Sequence, residues 1–439
     1  MTVELAHPSI EPQAAGSPIE PAHPRWWFFT TTPGRILTMG IVLAILGGLT
    51  AFATSTTINN RQTQLTTVLN HTEPLAFAAG ELYTTLSIAD AAAATAFIAG
   101  SEPRAVRQRY EQAITDAAAA VTRAASGLTD EPLVGLLGRI NAQLATYTGL
   151  VETARTNNRM GNPVGSSYLS EASALMQRSI LPDAQLLYEE TSARVDAETS
   201  TATRIPAPVI IVLTATVCFG AFAHRWLARH TRRRINIGLI AGGLAILLMI
   251  FWVGTALTIS TAGSRSAKNT AAASLRSVTN LAITAQQARA DETLSLIRRG
   301  DEDIRQPSFE QRVQVMREQL AHYLERKDAI AKNDLADADQ LLTNWLKADQ
   351  RINAYTAVGD YRAATAVALG TREDDSTPAF DKLDSALSEG IRESRNQLRN
   401  DIFSAQRVLS GTTVGGVVLS MGAALAVALG LWPRLSEYR

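Results

Sequence analysis

The centre of the chain reads IPAPVIIVLTATVCFGAFA (residues 205–223), HRWLARHTRRR (224–234) and INIGLIAGGLAILLMIFWVGTALTIS (235–260). The first and third segments contain no acidic or basic residue, and each is close to the roughly 20 apolar residues that cross a bilayer core. The segment between them holds five arginines within eleven residues. This pattern predicts two transmembrane helices joined by a short basic loop.

Two further segments have the same character, Ile36–Thr57 and Val408–Trp432. None of the four contains Asp, Glu, Lys or Arg, whereas ion-coupled carriers usually place ionisable groups inside the membrane. The chain of 439 residues is therefore predicted to be an all-α membrane protein with four transmembrane helices, and not an ion-coupled carrier. Its one cysteine, Cys218, lies inside the second span and is expected to be a small packing residue.

The basic loop also predicts orientation, because short loops rich in Lys and Arg stay in the cytoplasm. With four spans, both termini are then cytoplasmic, and residues 58–204 and 263–407 lie outside the cell membrane. The Pro-rich residues 1–35 are expected to form a disordered cytoplasmic leader, and residues 433–439 a short cytoplasmic tail.

The two extracytoplasmic segments are nearly equal in length and carry related landmarks. Ala89-Asp90 corresponds to Ala290-Asp291, and Tyr110-Glu111-Gln112 corresponds to Phe309-Glu310-Gln311 at nearly the same offset. A drifting offset of this kind is expected of an old duplication with small deletions. The sequence therefore predicts an internal duplication that forms two tandem extracytoplasmic four-helix bundles.

The helices of each bundle are predicted from apolar spacing and from the positions of glycine and proline. Gly127, Gly161 and Gly359 are expected to lie at helix ends. Pro74 is expected to break or kink a helix, which sets residues 58–73 beside 190–204 as a two-helix stalk. Six residues are predicted to mark the membrane-distal tips: Gly100, Ser101, Gly161, Asn162, Gly300 and Asp301.

Motifs that carry catalysis or metal binding are absent from the sequence. It contains no HExxH, GxSxG or GxxxxGK[ST] motif, and its six histidines are scattered. The acidic run at 373–375 lacks the glycine and alternation of a calcium loop, and 301–303 is expected to form a polar turn. We therefore expect no enzymatic activity, no cofactor, no metal site and no nucleic-acid partner.

Small residues recur at helical spacing in two spans, as Gly238 with Gly242 and as Gly411 with Gly415. Such pairs let helix backbones approach each other closely inside a membrane. The sequence therefore predicts these four glycines as positions where transmembrane helices pack.

Two stretches carry a resemblance to a known family, WWFFTTTPGRILTMGIVLAILGG (26–48) and HRWLARHTRRRINIG (224–238). Together with the tandem bundles, they resemble the GlnX family of actinobacterial four-span membrane proteins. A helical bundle between two spans also resembles the sensor domains of bacterial chemoreceptors and histidine kinases. The chain departs from those receptors, because no signalling domain is expected after its second or fourth span.

The resemblance to the GlnX family implies a transmembrane signal relay. It implies an extracytoplasmic amino-acid-binding lipoprotein (GlnH-like) that senses the nutrient and a cytoplasmic Ser/Thr protein kinase (PknG-like) that receives the signal. Two alternatives stay open. One is a direct sensor that binds a small molecule between its own helices, and the other is an envelope scaffold without a signalling role.

The basic loop itself admits two roles. Its arginines hold the loop inside and contact anionic lipid, each contributing about 1 kcal/mol near such a surface. Alternatively, the loop docks a cytoplasmic partner, because only the leader and the tail are otherwise expected on that side. The residues concerned are Arg225, Arg229, Arg232, Arg233 and Arg234.

Overall fold

A computed structural model describes residues 32–99, 104–202, 207–230, 237–298 and 309–436. Within these ranges the chain forms helices and short turns, and no strand. The chain divides into two compact units. The span unit comprises Met1–Phe52, Ile210–Met249 and Val418–Arg439, and the bundle unit comprises Ala53–Val209 and Ile250–Val417.

Four helical stretches among the described residues are long and apolar enough to cross a membrane: Gly34–Ile98, Ala207–Arg229, Ile240–Leu296 and Ser376–Gly430. Their charge-free runs lie in α1 (Thr32–Thr67), α7 (Ala207–His230), α8 (Ile237–Ser266) and α14 (Thr412–Ser436). Large apolar side chains on these helices are exposed, as expected of surfaces that face lipid. The prediction of an all-α, multi-pass membrane protein is confirmed.

Within the span unit, α8 packs against α14 at very short range. A Cβ added at Gly238 would lie 2.3 Å from the Cα of Gly430, and one added at Gly242 would lie 2.7 Å from the side chain of Val427. Backbone on the opposite helix cannot move aside as a flexible side chain can. Position 238 therefore accepts only glycine in this packing.

The other two spans, α1 and α7, also contact each other. Thr50 and Thr216 share a buried hydrogen bond of 2.9 Å, and Ile36 packs against Leu227. A cavity of about 330 Å³ lies among all four spans and is lined mainly by apolar and small residues. Val427 of α14 also packs against Ile36 and Leu227, so the two helix pairs contact each other beside this unfilled volume.

The first half of the bundle unit is built from α2 to α6. These helices are α2 (Glu73–Ile98), α3 (Arg104–Gly127), α4 (Glu131–Arg159), α5 (Val164–Leu175) and α6 (Leu181–Ala202). A π-helical segment, π2 (Met176–Ile180), joins α5 to α6 as one continuous rod, so the half is a four-helix bundle. Its core includes Leu82, Ile140 and Tyr147, all buried completely.

The second half of the bundle unit is built from α9 to α13. These helices are α9 (Ala273–Arg298), α10 (Phe309–Glu325), α11 (Ala338–Ala357), α12 (Tyr361–Ala368) and α13 (Ser376–Ser410). The buried Trp345 lies at the centre of its core, with ring centroids 4.7 Å from Phe309 and 4.9 Å from Phe380. The short α12 was not predicted, and the duplication that would relate the two halves stays a prediction.

Pro74 does not break the helix, and a kink there stays a prediction. The helix runs without interruption from α1 through π1 (Val68–Thr72) into α2. Proline lacks an N–H and its ring crowds the preceding turn, and a single wider turn accommodates both effects. In that turn Glu73 donates its N–H to the carbonyl of Val68, five residues earlier. The segment π2 precedes Pro182 in the same way, while a third segment, π3 (Ala267–Ala272), joins α8 to α9.

Two turns in the bundle unit contain a glycine with positive φ. Gly161 has φ +71° between α4 and α5, and Gly359 has φ +78° between α11 and α12. Glycine adopts this left-handed conformation without steric penalty, so it ends helices readily. Each glycine follows an exposed apolar residue, Met160 at 62% and Val358 at 77% exposure.

Candidate functional site between the two halves

The two halves of the bundle unit pack against each other through α2 and α9. Gly80 lies where they meet, and a Cβ added there would be 3.3 Å from the Tyr188 ring and 3.7 Å from Thr279. Further along α2, Gln287 donates a hydrogen bond of 2.6 Å to the hydroxyl of Tyr83. Burial raises the pKa of both Tyr83 and Tyr188, so their hydroxyls stay neutral. Small residues and hydrogen bonds therefore hold this interface at close range.

A buried carboxylate at the start of α2 connects the halves. Glu73 is 2% exposed and accepts hydrogen bonds from Arg395 Nε at 2.6 Å and from Arg399 at 2.5 Å. Arg399 also donates to the backbone carbonyl of Leu69 at 3.2 Å. A buried ion left without its partner destabilises a protein by about 3–5 kcal/mol. Glu73 therefore fixes the position of α13 against α2.

Other polar contacts cross the same interface. Arg276 pairs with Asp196. Burial raises the pKa of Asp196, and the positive charges of Arg276 and Lys268 offset part of that rise. Arg109 pairs with Asp381 at 3.1 Å, but these side chains are 43% and 45% exposed. Such an exposed pair contributes only about 0–1 kcal/mol. The interface is therefore held firmly at Glu73 and loosely at Arg109.

A cleft of about 390 Å³ opens between the halves beside Glu73. Its volume lies within the roughly 300–1,000 Å³ typical of small-molecule pockets. Its walls are mainly apolar and include Ala76, Phe77, Val195, Leu275, Ile391 and Leu398. Its charged groups are divided by half: the first contributes Glu73, Glu81 and Asp196, and the second contributes Arg276, Arg392 and Arg395.

The first half buries a second carboxyl within its own core. Asp90 accepts hydrogen bonds of 3.0 Å from Ser173 and Gln177, and one of 3.4 Å from the Tyr147 hydroxyl. Burial raises the pKa of Asp90, and these neutral donors offset only part of that rise. The site therefore favours a protonated carboxyl more than an exposed aspartate does.

The second half buries two carboxyls, one of which pairs with a guanidinium. Arg289 pairs with Glu292, and Glu292 also accepts a hydrogen bond of 2.5 Å from Ser376. Nearby, the pKa of Asp349 is raised to about 8 by burial and then by the negative charges of Glu292 and Glu310. Across the described parts of the chain, no three His, Cys, Asp or Glu side chains are placed to hold a metal ion.

The arginines predicted for partner or lipid contact lie on and after α7. Arg225 and Arg229 are exposed on that helix. Arg232, Arg233 and Arg234 lie outside the described residues. Contact with a cytoplasmic partner or with anionic lipid therefore stays a prediction.

The predicted tip residues fall in two groups. Gly161 and Asn162 form the turn between α4 and α5, where the Asn162 N–H donates to the carbonyl of Asn157 at 2.9 Å. Four of the predicted tip positions lie outside the described residues: Gly100, Ser101, Gly300 and Asp301.

The predicted packing glycines also differ among themselves. Gly238 and Gly242 lie where α8 meets α14, whereas a Cβ added at Gly411 would meet no described atom within 4 Å. A Cβ added at Gly415 would lie 3.3 Å from the ring of Trp252. Gly430 takes part in the shortest backbone approach, and glycine spacing alone did not single it out.

Sequence reasoning missed the residues that join the halves. Glu73 and Arg395 lie 322 positions apart, and their local sequences give no sign of a contact. A weak signal was present, because Glu73 is a lone charge beside an apolar helical stretch, and such a charge needs a partner when it is buried.

Comparison with known proteins adds one finding. Residues 64–200 match a family model described as an actinobacterial sensor domain. The match extends from the end of α1 almost to the end of α6, and so includes the first half of the bundle unit. No curated protein and no solved structure matches the chain. The sensor-domain match indicates a role in sensing or relaying a signal.

Proposed function

We propose that the protein relays extracytoplasmic amino-acid availability to a cytoplasmic Ser/Thr protein kinase (PknG-like). An amino-acid-binding lipoprotein (GlnH-like) would dock on the bundle unit and carry the nutrient state to it. The sensor-domain match over 64–200 supports a sensing role, and the resemblance of residues 26–48 and 224–238 to the GlnX family supports these partners. In this proposal both bundles lie outside the cell, and both termini lie inside.

The observation that carries the relay is the buried contact at Glu73. Glu73 belongs to the uninterrupted helical stretch Gly34–Ile98, and its two arginine partners belong to Ser376–Gly430. A change in packing between the halves must keep or break these bonds, so it acts on two membrane-crossing stretches together. Helix shifts of about 1–2 Å are a known scale for such switching.

The docking position we propose is the pair of glycine turns. Met160 and Val358 are exposed apolar residues on the turn that follows the third helix of each half. A photo-crosslinking residue at either position should capture the purified lipoprotein, and capture should change when its amino acid is added. The matched control is a crosslinker at Val134, which is 48% exposed near the start of α4, the helix that ends just before Met160.

Capture at Met160 and Val358 that responds to the amino acid would support the relay. Capture that does not change with the amino acid, or equal capture at Val134, would contradict it.

Contact with the cytoplasmic kinase is tested by replacing Arg232, Arg233 and Arg234 with Gln while topology is monitored by cysteine labelling. Lost nutrient-dependent phosphorylation with unchanged topology would support docking of the kinase at this loop, and unchanged phosphorylation would leave the arginines with a topological role.

A further inference from the structure

The cleft between the halves contains an arginine with unused hydrogen-bonding capacity. The Arg395 guanidinium lies 3.6 Å from the centroid of the Phe77 ring and donates to Glu73 through Nε. Its two terminal nitrogens make no hydrogen bond to any residue that the structure describes, and the side chain is 27% exposed. An arginine held over an aromatic ring by a cation–π contact is already oriented, so it loses little conformational entropy when it binds an acceptor.

The charges around this arginine do not balance. Glu73 supplies one negative charge to two guanidinium groups, those of Arg395 and Arg399. The other acids at the cleft are occupied elsewhere, because Asp196 pairs with Arg276 and Glu81 pairs with an arginine of α3. The cleft therefore has excess positive charge at Arg395, which favours an anionic ligand.

The remaining surface of the cleft is mainly apolar, which favours a ligand that carries an apolar group beside its negative charge. Leu275 and Ile391 belong to the second half, while Ala76 and Val195 belong to the first. These side chains offer a surface that favours binding of apolar groups in proportion to the apolar area removed from water. A hydrated inorganic anion would leave this surface unused.

We propose that the cleft binds a small organic carboxylate with an apolar body. The carboxylate accepts parallel hydrogen bonds from the two terminal nitrogens of Arg395, the geometry that makes arginine–carboxylate pairs strong. The apolar body lies against Phe77, Leu275 and Ile391. A ligand seated in this way contacts both halves, and it competes with Glu73 for the charge of Arg395.

Binding of this ligand would regulate the relay. By drawing Arg395 away from Glu73, the ligand favours one packing of the halves over the other, since a ligand shifts an equilibrium by its difference in affinity for the two states. The inference rests on the proposed function only in this regulatory step. The binding step concerns the bundle unit alone and needs no lipoprotein.

The test uses the full chain in lipid nanodiscs and equilibrium dialysis with radiolabelled phenylbutyrate. Phenylbutylamine, which has the same apolar body and the opposite charge, is the control probe, and empty nanodiscs correct for uptake by lipid. We expect saturable binding of phenylbutyrate and none of the amine. Arg395→Gln should weaken phenylbutyrate binding by at least about tenfold, the effect of losing a charge-assisted bidentate contact.

Two further variants keep the result interpretable. Leu275→Trp fills the cleft without removing a charge and should abolish binding. Arg317→Gln removes a half-exposed arginine of α10 that does not line the cleft, and should leave binding unchanged. The proposal is overturned if phenylbutyrate shows no saturable binding, if the amine binds equally, or if Leu275→Trp and Arg395→Gln both bind as the parent does. Lipoprotein capture at the glycine turns is measured separately, so either proposal can fail while the other stands.

Discussion

Asp90 in the first half and Glu292 in the second are both buried carboxyls on the helix at the interface, but their surroundings differ. The partners of Asp90 are neutral side chains, whereas Glu292 is paired with the guanidinium of Arg289. A carboxyl can enter a low-dielectric core by holding a proton or by bringing a counter-ion. On these two helices the halves thus stabilise a buried carboxyl in different ways, although the second half also keeps a protonated carboxyl at Asp349.

The largest expected effect comes from removing the counter-ion of Glu292. Arg289→Met leaves Glu292 buried without its counter-ion, and should destabilise the second half by about 3–5 kcal/mol. Hydrogen exchange of the full chain in nanodiscs should show faster exchange in α10 and α11, with α3 and α4 unchanged. Arg317→Met, which breaks an exposed pair, is the control. Equal acceleration in both halves would show that the halves are not energetically separate.

The pH dependence of the second half should follow from Asp349. Its pKa is raised from 3.8 to about 8 in the folded protein, so the folded state keeps a proton that the unfolded chain releases. The resulting stability is fully present below the unfolded pKa and is lost as the pH rises through about 8.

Between about pH 5 and about pH 8 we expect a loss of about 2–3 kcal/mol, less than the full shift because solvent relaxes around the charge. Hydrogen exchange in α11 measures this, after correction for the intrinsic pH dependence of exchange. Asp349→Asn should flatten the profile. A profile that keeps its slope in this variant would place the titrating proton on another group.

In the first half, the matched experiment is at Asp90. Asp90→Leu leaves the donors of Ser173 and Gln177 unsatisfied and should destabilise the first half by about 1–3 kcal/mol. Asp90→Asn keeps an acceptor in place and should change stability by less than about 1 kcal/mol. Thermal unfolding of the two variants side by side measures the difference. If Asn is as harmful as Leu, the carboxyl is ionised in the core and the contrast with Glu292 disappears.

The smallest expected effect comes from breaking an exposed ion pair between the halves. Asp381→Asn removes an exposed pair with Arg109, and should change the free energy of unfolding by no more than about 1 kcal/mol. A double-mutant cycle with Arg109→Gln isolates the pair. A coupling energy well above this value would mean that the interface is held as firmly here as at Glu73.

The spans and most helix ends were predictable because they depend on local chemistry. A charge-free run of about 20 residues has one stable solution in a membrane. Glycine at a left-handed turn is similarly local, and Gly161 and Gly359 both end helices as predicted.

The remaining features depend on contacts that sequence spacing does not encode. Pro74 is accommodated by a wider turn whose position depends on the packing around it. The short helix α12 buries its apolar face with Ile352 and Leu296, which lie on two other helices. The candidate site is the extreme case, because Glu73 meets arginines from the far end of the chain.

The contacts within the span unit determine where it can yield mechanically. The backbones of α8 and α14 lie in close contact at Gly238 and Gly430, and the hydrogen bond between Thr50 and Thr216 ties α1 to α7. The cavity among the spans, by contrast, lacks the dispersion contacts that resist shear. Val427 of α14 packs against Ile36 and Leu227 beside this cavity, so we expect the span unit to yield first where the cavity, and not this contact, separates the helix pairs.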